Sequence, residues 1–169
     1  EKDITRLQTI TDRFSKIGSE PVLEKRDIIE DTKNTVDYLQ TRVSQQVIFT
    51  FKAPEHPIFF FIYHALHSWT IENLVKNAID AMKGKGSLAI AISELEDVVK
   101  IKITDSGKGI PKNQFSKVFE PGFTTKKRGW GLGLSLTKRI VQEYHKGRIK
   151  VAHSEIGKGT TMQMSFKKV

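Results

Sequence analysis

The sequence predicts an α/β domain, because helical and strand-like periodicities alternate along most of its length. The strongest helical pattern covers residues 65–82, where apolar residues at spacings of three and four form a wide stripe. Residues 88–92 and 98–104 instead alternate apolar with polar residues, which is typical of paired strands. The 169 residues, with 38% apolar content, are enough for one core of ordinary size.

Two helices and a strand are predicted ahead of the long helix. Residues 2–17 carry a narrow apolar stripe, which suits a coiled coil or helix bundle as well as a helix that docks on its own domain. Gly18 ends this helix. A second helix is predicted at about residues 25–42, and a strand at 47–51. The stripe consists of Ile4, Leu7, Ile10, Phe14 and Ile17, and the second helix would bury Ile28, Ile29, Val36, Tyr38 and Leu39.

Strands and loops dominate the chain after the long helix. A polar loop at 93–97 joins the two strands named above, and a second loop at 105–111 leaves the later strand. Residues 120–131 are rich in glycine, threonine and lysine and lack a hydrophobic period, so we interpret them as a mobile loop. The remaining predicted elements are a short helix near 114–118, a helix at 132–145, and strands at 148–153 and 160–167.

Composition limits the classes of function. The formal net charge of +9 suits an anionic ligand, an acidic partner or nucleic acid, although most of the excess would also suit a solvated surface. The absence of cysteine excludes disulfides and thiolate metal sites. No apolar run approaches the roughly 20 residues that a membrane span requires. The chain opens in a helical pattern without methionine, so we expect it to be a piece of a longer protein.

Two asparagines stand one turn apart in the long predicted helix. Asn73 and Asn77 share a face, with Lys76 beside them. Asparagine is unfavourable inside a helix because its side chain competes for backbone hydrogen bonds, so the pair needs a reason. An amide oxygen with phosphate oxygens and water suits Mg2+. Two amides that satisfy each other or a nearby loop would also explain the pair.

Two glycine-rich stretches offer bare backbone to a ligand. Asp105 follows a predicted strand, and Gly107 and Gly109 let the next loop fold under a flat ligand, although such turns are common on their own. Gly131 and Gly133 open a predicted helix, whose amides favour phosphate. The dinucleotide-binding pattern has a different glycine spacing and follows a strand, and the P-loop pattern is absent.

Five stretches, in order, resemble the conserved boxes of sensor histidine kinases. Residues 72–81 resemble the N box, 105–110 the G1 box, 119–126 the F box, 129–134 the G2 box and 157–161 the G3 box. The resemblance covers roughly residues 47–169. It implies the Bergerat ATP-binding fold, which is a two-layer α/β sandwich with a mixed, mostly antiparallel sheet and helices on one face. An N-terminal helical stub would precede it.

The resemblance implies ATP and Mg2+ as ligands and assigns roles to single residues. Asn77 would hold the metal, Asn73 would support the phosphates or the metal, and Lys76 would face phosphate. Asp105 would accept a hydrogen bond from the adenine amino group, and Thr160 would support either Asp105 or a water at the adenine. Residues 120–131 would form a lid. The implied ATP-binding residues are Asn73, Lys76, Asn77, Asp80, Asp105, Gly107, Gly109, Ile110, Phe119, Thr124, Thr125, Lys126, Gly129, Gly131, Leu132, Gly133, Leu134 and Thr160.

One position favours a phosphate donor over an ATPase. Hydrolysing members of this group place a glutamate, which activates water as general base, one turn before the metal asparagine. Asn73 occupies that position. None of the five histidines lies in the His-Glu context of the family's phosphoacceptor. The acceptor histidine would therefore lie upstream of residue 1.

The sequence thus predicts the catalytic and ATP-binding domain of a sensor histidine kinase at residues 19–169, after a remnant of a dimerisation helix at 1–18. Expected partners are the upstream dimerisation and phosphoacceptor domain and a response regulator, without nucleic acid. We expect a cytoplasmic domain that is homodimeric in the full-length protein and monomeric as a fragment. A Bergerat-fold ATPase, an anti-sigma-type serine kinase and a degenerate ATP-binding scaffold are the alternatives.

Overall fold

A five-stranded sheet with helices on one face forms the domain in the computed structural model, which describes residues 22–123 and 133–168. The strand order is β2-β4-β5-β7-β6, and only the β2–β4 pair is parallel. This confirms the predicted two-layer sandwich with a mixed, mostly antiparallel sheet. The strands are β2 (Val47–Lys52), β4 (Gly86–Leu95), β5 (Val98–Asp105), β6 (Arg148–Glu155) and β7 (Gly159–Lys167).

Within the described residues, the helical layer of the domain consists of three helices. They are α1 (Ile28–Gln40), α2 (His64–Ala81) and α3 (Gly133–Arg139), which continues as a π-helical turn at Ile140–Tyr144. The wide apolar face of α2 lies in the centre of the core, where Ile71 and Val75 are fully buried. In the part of the chain that the structure describes, no helix is long and apolar enough to cross a bilayer.

A second, two-stranded sheet was missed by the sequence analysis. Strand β1 (Leu23–Asp27) pairs with β3 (Phe59–Tyr63) in antiparallel register. The predicted helix at 25–42 therefore begins too early. Asp27 caps α1 by accepting hydrogen bonds from the amides of Ile29 and Ile58, both at 3.1 Å, which ends the strand and starts the helix.

Other boundaries and one core residue also differ from the prediction. Tyr38, predicted to be buried, is 54% exposed, and its ring stacks with Arg42. The β4–β5 loop contains only Glu96 and Asp97, because the strands pair as far as Leu95 and Val98.

The helix predicted near 114–118 is replaced by two short 3-10 turns, Lys112–Gln114 and Lys117–Phe119. The helix predicted at 2–17 and most of the loop predicted at 120–131 lie outside the described residues.

Candidate functional site

The carboxyl end of α2 lies against the loop that follows β5. A Cβ on Gly107 would come within 2.7 Å of the carbonyl carbon and oxygen of Ala81. The amide of Lys108 donates to the Ala81 carbonyl oxygen at 3.0 Å. Glycine at 107 is thus required by close packing, and the loop is held one helical turn beyond Asn77.

Asp105 places a carboxylate at the base of this loop. Its side chain is buried, and Oδ1 accepts from the Gly107 amide at 2.8 Å. Burial raises the pKa of Asp105, although backbone hydrogen bonds from Gly107 and from Thr160, its partner across the sheet, act to lower it. A desolvated acceptor of this kind favours a ligand that donates a hydrogen bond to it.

The turn between β6 and β7 supports the same loop from the other side. Gly109 has a φ of +80°, and a Cβ at this position would collide with the Glu155 carbonyl oxygen. The Ile110 amide donates to Ser154 Oγ at 2.7 Å, and Ser154 Oγ lies 2.7 Å from Thr160 Oγ1. The loop after Asp105 is therefore tied to two strands as well as to the end of α2.

Asn73 connects the middle of α2 to the start of α3. Its amide nitrogen donates to Thr137 Oγ1 at 2.9 Å, and this hydroxyl donates to the Gly133 carbonyl oxygen at 2.7 Å. A Cβ on Gly133 would approach Asn73 Oδ1 to 2.8 Å. The Asn73 amide is therefore engaged with a neighbouring element, which is the structural explanation that the sequence had left open.

These contacts define the two ends of an elongated site along α2. Ala81, at the Asp105 loop, and Asn73, at Gly133, are eight positions apart, which corresponds to about 12 Å along a helix. The half-buried Asn77 lies midway between them. A ligand on this side of α2 would place a hydrogen-bond donor at Asp105 and its other end near Asn77 and Asn73.

Comparison with known proteins decides which class of ligand fits. The family model described as histidine kinase-, DNA gyrase B-, and HSP90-like ATPase matches residues 68–169, which is more than half of the chain. The chain belongs to this family. ATP is the ligand class that membership implies, and its length and polarity suit the site along α2.

Individual relatives narrow the assignment to the kinase branch. The sensor histidine kinase ZraS of Escherichia coli (strain K12) is 47% identical over 92 residues, which are 54% of this chain and 19% of ZraS. Sporulation kinase A of Bacillus subtilis (strain 168) is 43% identical over 97 residues, which are 57% of this chain and 16% of that kinase. The chain is thus a catalytic, ATP-binding domain of the sensor histidine kinase type. It spans less than a fifth of the length of these two curated relatives.

A solved structure of similar fold agrees with the architecture. The catalytic domain of the histidine kinase ThkA aligns with a TM-score of 0.78 at 24% sequence identity. The alignment covers 87% of this chain and 96% of the ThkA domain. This likeness confirms the two-layer fold.

The other residues expected at the ATP site of this kinase domain have varied surroundings. Lys76 is exposed, and its Nζ lies 2.7 Å from Glu72 Oε1 in a pair on the outer side of α2. Phe119 is buried, with Lys138 Nζ 5.9 Å from its ring centre. Asp80 is exposed. Ile110 and Leu134 are partly buried against the core, and Thr124, Thr125, Lys126, Gly129, Gly131 and Leu132 lie outside the described residues.

The described side chains could hold Mg2+ only together with the phosphate groups of a bound nucleotide. No cluster of three or more histidine, cysteine or carboxylate side chains that could hold a metal occurs within residues 22–123 and 133–168. A site centred on the Asn77 amide oxygen would depend on nucleotide phosphates and water for its remaining ligands. That is how Mg2+ is commonly held at nucleotide sites, because it dehydrates reluctantly.

Two residues of the site were not foreseen from the sequence. Thr137 is fully buried between α2 and α3, and Ser154 bridges the Asp105 loop to Thr160. Each is a hydroxyl residue in an ordinary helix or strand pattern. Their contacts with residues far away in the sequence show that they belong to the site: Thr137 contacts Asn73, and Ser154 contacts Ile110.

Proposed function

We propose that this domain binds Mg-ATP along α2 and donates the γ-phosphate to a histidine on an upstream dimerisation domain, for relay to a response regulator. The proposal rests mainly on the residue type at position 73, an asparagine, and on the contacts of its side chain. By the resemblance to the N box, this residue would stand where hydrolysing members of the family have a general-base glutamate. Its amide is buried and hydrogen-bonded to Thr137. A side-chain amide is too weak a base to take a proton from an attacking water molecule. ATP would therefore persist until a better nucleophile arrives.

Positioning and charge neutralisation are the main contributions of this domain to phosphoryl transfer. Asp105 would orient the adenine amino group, and Asn77 would hold Mg2+ beside the phosphates. Bound Mg2+ would neutralise charge on the transferring phosphoryl group. Every step that requires proton transfer would then fall to the acceptor domain.

The outer face of the small β1–β3 sheet is the proposed contact for that acceptor domain. Leu23, Phe59 and Phe61 are 48%, 56% and 60% exposed on this face, and Lys25 Nζ lies 5.8 Å from the centre of the Phe59 ring. Exposed apolar patches of this kind commonly mark protein contacts. The patch lies at the strand that follows residues 1–18, the proposed dimerisation helix. From the likeness to sensor histidine kinases, we also propose that the domain is cytoplasmic and that the full-length protein is a homodimer.

Labelled phosphate transfer tests the proposal. The chain is incubated with γ-labelled ATP, Mg2+ and a polypeptide carrying the proposed upstream segment, and label is followed on the polypeptide and as free phosphate. We expect acid-labile, base-stable label on the polypeptide, lost when its acceptor histidine is replaced. Acid-stable label would instead identify a serine kinase. Rapid phosphate release by the chain alone would identify an ATPase.

A further inference from the structure

The face of the five-stranded sheet that points away from the helices carries a regular array of cations. One row of cross-strand neighbours runs from Lys52 through Ala91, Lys102 and Gln163 to Lys150, one residue on each strand. Lysines stand on the first, third and fifth strands of this row. Because adjacent strands lie about 4.8 Å apart, the lysines recur roughly every 10 Å.

A second row adds to the charge. Lys100 and Arg148 flank Ser165 two residues further along the same strands. Within the described residues, none of these five cations forms an ion pair with a carboxylate. The exposed Glu155 lies at the far end of β6, where Lys158 pairs with it at 3.3 Å. The two rows therefore form a basic surface without internal neutralisation.

Several neutral positions of this face are small. Ala89 and Ala91 lie on β4, and Ser165 separates the two cations of the second row, so the long basic side chains project furthest. Two aliphatic side chains at its margins are strongly exposed, Ile48 on β2 at 66% and Leu95 at the end of β4 at 72%. The outward positions of the five strands hold no phenylalanine, tyrosine or tryptophan on which a nucleic-acid base could stack.

We propose that this open sheet face, defined by Lys52, Lys100, Lys102, Arg148 and Lys150, binds the surface of an anionic phospholipid bilayer. A broad array of uncompensated cations matches a broad array of lipid phosphates, and each Lys or Arg near such a surface adds to the attraction. The marginal Ile48 and Leu95 side chains would enter the interface, as apolar groups of peripheral proteins do. Contact with duplex DNA would not bury the Ile48 and Leu95 side chains in an apolar environment.

The surface is independent of the nucleotide site. Asp105 and Thr160 are buried on the helix side of the sheet, whereas neighbouring Thr104 and Thr161 are on the open face, where their hydroxyls lie 2.9 Å apart. ATP binding and lipid binding therefore use opposite faces of the same strands. A variant of the basic face should keep its affinity for ATP.

Vesicle sedimentation with the full 169-residue chain tests the proposal. We expect the chain to sediment with phosphatidylcholine vesicles that contain phosphatidylglycerol, and not with phosphatidylcholine alone. Added salt should release it, because the attraction is screened. The triple variant Lys52→Glu, Lys102→Glu, Lys150→Glu should lower the partition coefficient about a hundredfold or more. Titration with a fluorescent ATP analogue checks that the variant remains folded.

A matched variant separates the face from net charge. Lys33→Glu, Arg42→Glu and Arg139→Glu change the charge equally at exposed positions outside the five-stranded sheet, and this triple variant should retain vesicle binding within a few-fold. Equal loss in both triple variants would overturn the proposal in favour of overall charge. Tighter binding to duplex DNA than to anionic vesicles at the same salt concentration would overturn it in favour of nucleic acid.

Discussion

The side-chain amide of Asn73 donates a hydrogen bond of 2.9 Å to the hydroxyl of Thr137, in a buried contact between α2 and α3. Thr137 is fully buried and donates in turn to the carbonyl oxygen of Gly133, in the first described turn of α3. The chain of contacts fixes the start of α3 against the side of α2 that also carries Asn77. Asn73 therefore helps to position α3 against α2.

Replacing Thr137 with valine tests this contact. Valine has a similar shape but leaves the Asn73 amide without its acceptor, so we expect the free energy of unfolding to fall by about 1–3 kcal/mol. ATP affinity should also fall, because the start of α3 is less well fixed. Urea denaturation and ATP titration measure the two effects.

Thr161→Val is the matched control, because its hydroxyl makes a 2.9 Å contact with Thr104 on the exposed sheet face. Its effect on stability should stay within about 0.5 kcal/mol, as for most surface substitutions. Equal losses in the two variants would contradict a specific role of the Asn73–Thr137 contact in fixing α3.

The sequence indicated one partner of this contact but not the other. Asn73 and Asp105 were identified because each is a polar residue that interrupts an apolar pattern or ends a strand beside glycines. Thr137 interrupts nothing, and its contact joins residues 64 positions apart. The long helix and the main strands were predictable because their periodicity reflects burial on one face. Strand β1 was not, because Lys25 and Arg26 become strand residues only by pairing with β3.

Asp105→Asn should weaken ATP binding by about ten- to a hundredfold. A carboxylate has two acceptor oxygens, so it can serve the Gly107 amide and the adenine amino group together. Asparagine has only one acceptor oxygen for these two donors. Unchanged ATP affinity in a titration would exclude Asp105 as the adenine acceptor.

The same substitution should not destabilise the ligand-free fold at neutral pH. Because burial raises the pKa of Asp105 above its unfolded value, the ionised carboxylate is less favourable in the folded state. That penalty is present above the folded pKa and disappears as the pH falls below the unfolded pKa. Relative to wild type, Asp105→Asn should be at least as stable at neutral pH and lose that advantage in acid. Urea denaturation across this range checks the sign.

Gly109→Ala should be more harmful than the same change at Gly84. Both glycines have a positive φ, of +80° and +79°, so both alanines carry the backbone strain of about 1–2 kcal/mol. Only at Gly109 would the added methyl group collide with the Glu155 carbonyl oxygen, whereas nothing lies within 4 Å at Gly84. We expect loss of ATP affinity in Gly109→Ala alone. Equal ATP affinities in the two variants would show that the loop tolerates displacement.

The exposed β1–β3 face can be tested within the proposed transfer reaction. Phe59→Ser with Phe61→Ser should slow labelled phosphate transfer to the acceptor polypeptide while ATP affinity stays unchanged, because both rings point away from the core. Ile48→Ser, which removes an equally exposed aliphatic group from the open sheet face, is the control and should transfer normally. Normal transfer by the phenylalanine variant would place the acceptor contact elsewhere.

A buried and a half-buried histidine, His67 and His145, should make the fold sensitive to acid. Burial, with a smaller effect of His145, lowers the pKa of His67 to about 3, although nearby Asp31 opposes the shift. Burial lowers the pKa of His145 to about 4. The neutral forms make specific contacts: His67 Nε2 lies 2.9 Å from Thr32 Oγ1, and His145 Nε2 accepts from the Tyr63 amide at 3.1 Å.

The sign of the pH effect follows from these shifts. Below the unfolded pKa of about 6.5 the unfolded chain binds protons that the folded chain does not, so stability falls as the pH drops towards the folded values. Each histidine should remove about 2 kcal/mol between about pH 7 and pH 5. His145→Gln keeps an acceptor for Tyr63 and removes one titration, so urea denaturation should show a smaller pH slope. Equal slopes in the wild type and this variant would contradict a neutral His145 in the folded state.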